Sequence, residues 1–168
     1  AIDYLYGEID FLSFIALLTL VKPDETTIFY DLGSGTGKAV IACAIVFQVK
    51  KSCGIELFSA LHQAALRQKV RLNNNKDYHG MADHIEFIHN DFLTTDFSDA
   101  TLIFINASAY IGETWQALVQ KLLNTQVGTT IILASKTLPQ NRFQKLYSTH
   151  AKMSWGIVST HIYQRLKK

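Results

Sequence analysis

Three acids and an amide stand where strand-like runs give out, and that placement poses the first question of chemistry. Asp31 closes the β-branched and aromatic run Thr27 to Tyr30, and Glu56 closes Ser52 to Glu56. Asp91 follows the alternating run His84 to His89, and Asn106 follows Thr101 to Ile105. Open α/β sheets bind ligands in the crevice at the carboxyl ends of their strands, so these side chains are placed to line one site. A carboxylate at the end of the second strand accepts two hydrogen bonds, which matches the two vicinal hydroxyls of a ribose, and Glu56 is the candidate. The pair Asp91-Phe92 suits adenine, the carboxylate accepting from the exocyclic amine while the ring or backbone packs beside the base. Plainer roles are open to both: Glu56 could cap the helix expected over Ser59 to Asn73, and Asp91 could form an Asx turn with Phe92 in the core. No Cys/His or Ser/His/Asp order suggests a covalent nucleophile. The six histidines lack CxxC or HExxH companions, so no metal site is expected.

Between the first acid and the first helix lies a glycine loop, D-L-G-S-G-T-G (Asp31 to Gly37), leading into the apolar segment Ala39 to Val46. Glycines serve where the turn needs unusual backbone angles and a ligand must approach the main chain. A P-loop would read GxxxxGK[ST], yet Leu32 stands where its first glycine belongs and Ala39 where its magnesium-binding hydroxyl belongs. A dinucleotide fingerprint reads GxGxxG, whereas this loop is GxGxG with an acid two residues ahead of its first glycine. The arrangement resembles the first motif of class I S-adenosylmethionine-dependent methyltransferases.

The elements that must hold these residues follow from periodicity. Phe11, Phe14, Ile15 and Leu18 fall at helical spacing, which predicts a largely buried helix over Ile9 to Val21, ended by Pro23. Ala1 to Glu8 reads as a loop leading into it. Asn73 to Gly80 is polar loop, Thr114 to Leu123 an amphipathic helix, and Thr129 to Ala134 a fifth strand. Asn141 to Tyr147 is expected as a short helix, and Met153 to Gln164 as closing strands, an antiparallel pair at the sheet edge. The 168 residues suit a single domain, with 1–22 as N-terminal loop and helix and 27–168 as sheet core. The expected fold is α/β and Rossmann-like: a mostly parallel seven-stranded sheet with an antiparallel edge pair and helices on both faces. No apolar run approaches the ~20 residues a bilayer needs, and the N-terminus lacks the basic region of a secretory signal. A cytoplasmic protein without membrane contact is expected, with Cys43 and Cys53 as buried free thiols.

A wider set of motifs resembles the catalytic core of the non-SET histone-lysine methyltransferases, the disruptor-of-telomeric-silencing family. These are Y-G-E (Tyr6 to Glu8), D-L-G-S-G-T-G, G-I-E (Gly54 to Glu56), N-D-F-L (Asn90 to Leu93), I-F-I-N-A-S-A-Y (Ile103 to Tyr110) and A-S-K (Ala134 to Lys136), in the family's order. The resemblance implies S-adenosyl-L-methionine as cofactor and a lysine side chain of a protein as substrate. It implies that Tyr6 and Glu8 cover the methionine end, and that Asp31, Gly33 and Gly35 hold the amino acid portion. Glu56 would take the ribose, Asp91 with Phe92 the adenine; Asn106 would sit near the departing methyl and Tyr110 would help wall a lysine channel. Where the family has two asparagines and an aromatic, this chain has Asn106-Ala107-Ser108. Direct displacement at the methyl needs alignment and exclusion of water, with no obligatory strong base.

Charge leaves other substrates open. All 14 acids lie within residues 1–113, and 8 of the 16 lysines and arginines lie from Thr114 onward without one acid. That basic third could face a nucleic acid, as in an RNA methyltransferase, although its eight charges are spread over 55 residues without a dense run, which favours solvated helix faces and a basic tail. The same motifs are also compatible with a small-molecule methyltransferase and with a non-catalytic cofactor-binding interaction module.

Overall fold

A computed structural model describes residues 8–167 of the chain. Its sheet contains β1 (Ile28–Leu32), β2 (Lys51–Glu56), β3 (Ile85–His89), β4 (Leu102–Asn106), β5 (Thr130–Ala134), β6 (Phe143–Met153) and β7 (Gly156–Arg165), in the order β3-β2-β1-β4-β5-β7-β6. The first five strands run parallel, β7 runs antiparallel to β5, and β6 runs antiparallel to β7. Strands covered on both faces need apolar residues at every position. Ile131, Ile132 and Leu133 of β5 are accordingly all fully buried.

The α-helices among the described residues are α1 (Phe11–Val21), α2 (Lys38–Phe47), α3 (Ser59–Asn74) and α4 (Gly112–Leu123). On one face Phe14 and Leu18 of α1, Val40 and Cys43 of α2 and Leu72 of α3 pack with Phe29, Phe104 and Ile132 of the sheet. Phe14 stands edge-on to both Phe29 and Phe104. On the other face Leu118 and Leu122 of α4 pack with Tyr30, Ile103, Ile131 and Tyr163. Each large apolar side chain so buried stabilises the fold by about 1.5–3 kcal/mol. The result is the Rossmann-like α/β architecture with its antiparallel edge pair.

Local chemistry sets where the elements begin and end. The first helix starts at Phe11, two residues later than its apolar stripe suggests, because the Asp10 carboxylate accepts the Ser13 N–H and so caps it. It stops at Lys22, whose left-handed backbone precedes Pro23. The short helix expected over Asn141 to Tyr147 is a strand for most of its length. The N–H groups of Arg142 and Phe143 donate to the Pro139 carbonyl in a turn, and pairing with β7 begins at once from Phe143. A bulge between Lys145 and Tyr147 inserts Leu146 into the ladder. Phe143, Leu146 and Tyr147 therefore carry helix-like spacing within an extended chain.

Register places the candidate residues. Asp31 lies between Gly54 of β2 and Phe104 of β4, Glu56 pairs with His89, and Asn106 pairs with Ala134. The connections turn to opposite sides between β1 and β4, which is where such sheets open a crevice.

Candidate active site

The loop after β1 is bent by Gly33, Gly35 and Gly37, all at positive φ. The N–H groups of Gly33 and Ser34 both donate to the Ile55 carbonyl, at 2.8 and 3.0 Å, which ties the loop to the end of β2. Gly54 permits that approach, since a Cβ there would lie 2.5 Å from the Ser34 hydroxyl. Gly33 has φ +88°, and a Cβ on it would overlap the Tyr110 hydroxyl. Only a bare main chain accommodates both the turn and the neighbour.

Asp31 is 5% exposed, and its carboxylate receives no hydrogen bond or ion pair from any described residue. Burial, and after it the negative charge of Glu56, holds its pKa well above the usual carboxylate range. A nearly buried carboxylate without a donor from the described residues makes Asp31 the candidate to receive one from a ligand. Glu56 is equally buried but engaged: one oxygen accepts the Gly35 N–H at 2.8 Å and the other the Phe58 N–H at 2.9 Å. It thus braces the glycine loop and the entry to α3 together. Each carboxylate oxygen keeps a further lone pair for a ligand hydroxyl.

Asp91 does form the Asx turn, accepting the Leu93 N–H at 2.9 Å, and Phe92 is buried in the core. The Phe92 ring meets Tyr110 edge-on at 5.0 Å. Tyr110 therefore bridges the glycine loop and Phe92, its hydroxyl 3.4 Å from the Leu32 carbonyl. Burial, followed by the charges of Asp31, Glu56 and Asp91, pushes its phenol pKa up. Glu8 reaches the far side of the loop, pairing with Lys38 at 2.7 Å and accepting from the Thr36 hydroxyl at 3.3 Å. Its main chain is held against Ser154 in the β6–β7 turn. Tyr6 lies outside the described residues.

Asn106 ends β4 and is joined there by residues that sequence patterns did not assign. The Ser108 hydroxyl is 3.2 Å from Asn106 Oδ1 and 2.8 Å from the Ser135 hydroxyl just past β5. Both serines stand in motifs already noted, N-A-S-A-Y and A-S-K, but no sequence pattern joins the two segments. At the other end of the crevice His62 of α3 stacks on His89 at 5.1 Å, and its Nδ1 is buried without a partner. Burial first, then His89, lowers the His62 pKa, while Glu56 opposes both. Among the described residues no cluster of His, Cys, Asp and Glu could hold a metal ion, and no helix is long and apolar enough to cross a membrane. Cys43 and Cys53 are unpaired and buried, their thiols pushed up to about 12 by burial.

Sheet order, the closing antiparallel pair and a glycine loop after the first strand define the class I methyltransferase fold. A solved RNA methyltransferase from Salinibacter ruber in complex with S-adenosyl-L-homocysteine has that fold, with a TM-score of 0.69, 24% identity and coverage of 92% of this chain and 91% of the other. The chain belongs to the DOT1 family, whose model, described as histone methylation protein DOT1, matches residues 2–166. It is 31% identical over 147 residues to an H3 lysine-79 specific histone-lysine N-methyltransferase of Caenorhabditis elegans, covering 82% of this chain and 15% of that protein. It is 27% identical over 116 residues to a protein-lysine N-methyltransferase of Saccharolobus islandicus, covering 69% of this chain and 66% of that protein. The chain thus spans less than two thirds of either relative. S-adenosyl-L-methionine is the cofactor of this family and fold, and the unpartnered buried Asp31 beside a bare glycine loop fits a ligand that carries an ammonium group.

Proposed function

We propose that this chain is an S-adenosyl-L-methionine-dependent methyltransferase acting by direct transfer on lysine side chains of a protein. The observation that carries the reading is the unit of Asp31, glycine loop and Glu56: one buried carboxylate without a donor, a second bonded to the loop that separates them. In this reading Asp31 takes the cofactor's ammonium and Gly33 and Gly35 let its chain lie against the backbone. Glu56 accepts the ribose hydroxyls, Asp91 the adenine amine, and Phe92 packs beside the base. Glu8, with Tyr6, covers the methionine end. When bound, the cofactor supplies an electrophilic methyl on a sulfonium. Asn106 then stands at the reacting centre and Tyr110 at the wall of the crevice, excluding water and holding the neutral amine in line. The protein relatives support lysine as the substrate.

The basic C-terminal third favours a second reading, RNA as substrate, but the structure uses part of that charge internally. Lys121 donates to the carbonyls of Phe92 and Thr95, and the buried Arg165 donates to the Leu123 carbonyl at the end of α4. Calorimetric titration with the cofactor separates binding from turnover. Glu56→Ala removes two charge-assisted hydrogen bonds and is expected to weaken binding by about 3 kcal/mol or more, over a hundredfold. Asn106→Ala is expected to bind within about threefold of the parent while methyl transfer slows. Equal binding by Glu56→Ala and the parent would remove the ribose assignment.

A further inference from the structure

A hydroxyl carries one proton, and this orders the hydrogen bonds at the ends of β4 and β5. Ser108 lies within reach of both Asn106 Oδ1, at 3.2 Å, and the Ser135 hydroxyl, at 2.8 Å. The amide oxygen has no proton to give, so Ser108 donates to it. Ser135 must then donate to Ser108. The chain runs one way, from Ser135 through Ser108 to Asn106, and aligned hydroxyls of this kind polarise one another.

The origin of the chain is held rigidly. Ser135 is a non-glycine residue at φ +74°, and its N–H is fixed to the Ser159 carbonyl of β7 at 2.9 Å. Strained backbone of this sort persists where the surrounding structure determines it, and it clusters at functional sites. An asparagine amide has two ends of similar shape and opposite hydrogen-bonding sense. A donor held on its oxygen favours the orientation that turns the amide nitrogen toward the rest of the crevice.

We infer that Ser135 and Ser108 are positioning residues that fix the orientation of the Asn106 amide, acting through Asn106 rather than on a ligand themselves. The consequence for transfer rests on the proposed place of Asn106 beside the methyl; the orientation itself does not.

Two experiments test this. In nitrogen-15-labelled protein without cofactor, the Asn106 side-chain NH2 signals are identified by their loss in Asn106→Ala. Ser108→Ala and Ser135→Ala should both displace those signals, whereas Ser108→Thr, which keeps the hydroxyl, should leave them near the parent position. Unmoved signals in Ser135→Ala would overturn the inference. Titrations with S-adenosylmethionine and S-adenosylhomocysteine, probes that differ by the methyl, then read the effect at the reacting centre. Each serine-to-alanine change should alter the ratio of the two affinities by about threefold or more, and adding it to Asn106→Ala should alter nothing further. Additive effects would show that the serines act independently of Asn106 and would also overturn the inference. A parent that bound neither probe would instead defeat the proposed function, while the NMR result would still decide the orientation.

Discussion

Replacing Gly33 with alanine tests whether the glycine loop is shaped by its neighbour as well as by its own turn. At φ +88° a side chain costs about 1–2 kcal/mol of backbone strain. The new Cβ also meets the Tyr110 hydroxyl, so Tyr110 must leave its edge-on contact with Phe92, a further loss of about 0.5–1.5 kcal/mol. Together these give about 1.5–3.5 kcal/mol, and at about 2–4 °C per kcal/mol for a chain of this size the melting temperature should fall by about 3–14 °C. Gly80→Ala is the control. Gly80 has nearly the same φ, +90°, with nothing within 4 Å of a Cβ, so it bears the strain alone, about 1–2 kcal/mol. Tyr110→Phe removes the clashing oxygen and leaves the ring carbon beneath it at 3.4 Å, so it should restore the crowding part in a Gly33→Ala background. Differential scanning calorimetry of the four proteins measures stability, and cofactor titration should show lost affinity for Gly33→Ala but not for Gly80→Ala. Equal destabilisation by the two alanines, or no rescue by Tyr110→Phe, would show that the Tyr110 hydroxyl does not crowd position 33.

Two further outcomes follow from buried charge. The Asp31 carboxyl has a folded-state pKa raised by burial and by Glu56, so the stability it confers is full below its unfolded value, about 3.9, and is lost as pH rises through the folded value. Asp31→Asn should therefore melt higher than the parent at pH 8, with the gap closing toward pH 4, while cofactor binding is lost; a gap independent of pH would contradict the unpaired carboxylate. His62 is the opposite case: its folded pKa is depressed by burial and by His89, so its contribution is full above about 6.5 and is lost as pH falls through the folded value. His62→Gln should flatten the decline in melting temperature between pH 7.5 and 5, and an unchanged slope would show that the stacked pair does not titrate with folding.

The positions of Asp31, Glu56 and Asn106 at or near the carboxyl ends of β1, β2 and β4 were legible because a strand end is a local property: an apolar run stops there. Glu56 offered two roles in the sequence, and the structure shows it bonded to both Gly35 and the start of α3, because the loop and the helix flank one strand end. The strand β6 was not legible. It lies at the sheet edge, it exposes residues on both sides of the bulge, and one inserted residue converts alternation into helix-like spacing. The links Ser108–Ser135, Tyr110–Gly33 and His62–His89 join residues on different elements, 27 to 77 positions apart, and no local pattern records them.

Methyl transfer from S-adenosylmethionine to protein lysine is tested by following a tritiated methyl group into a cell lysate treated with nuclease. Label should be retained in protein, recovered as methyl-lysine after acid hydrolysis, and strongly reduced with Asn106→Ala despite saturable cofactor binding. Label removed by nuclease would assign the chain to RNA, and no saturable binding by the parent would rule out the methyltransferase assignment altogether.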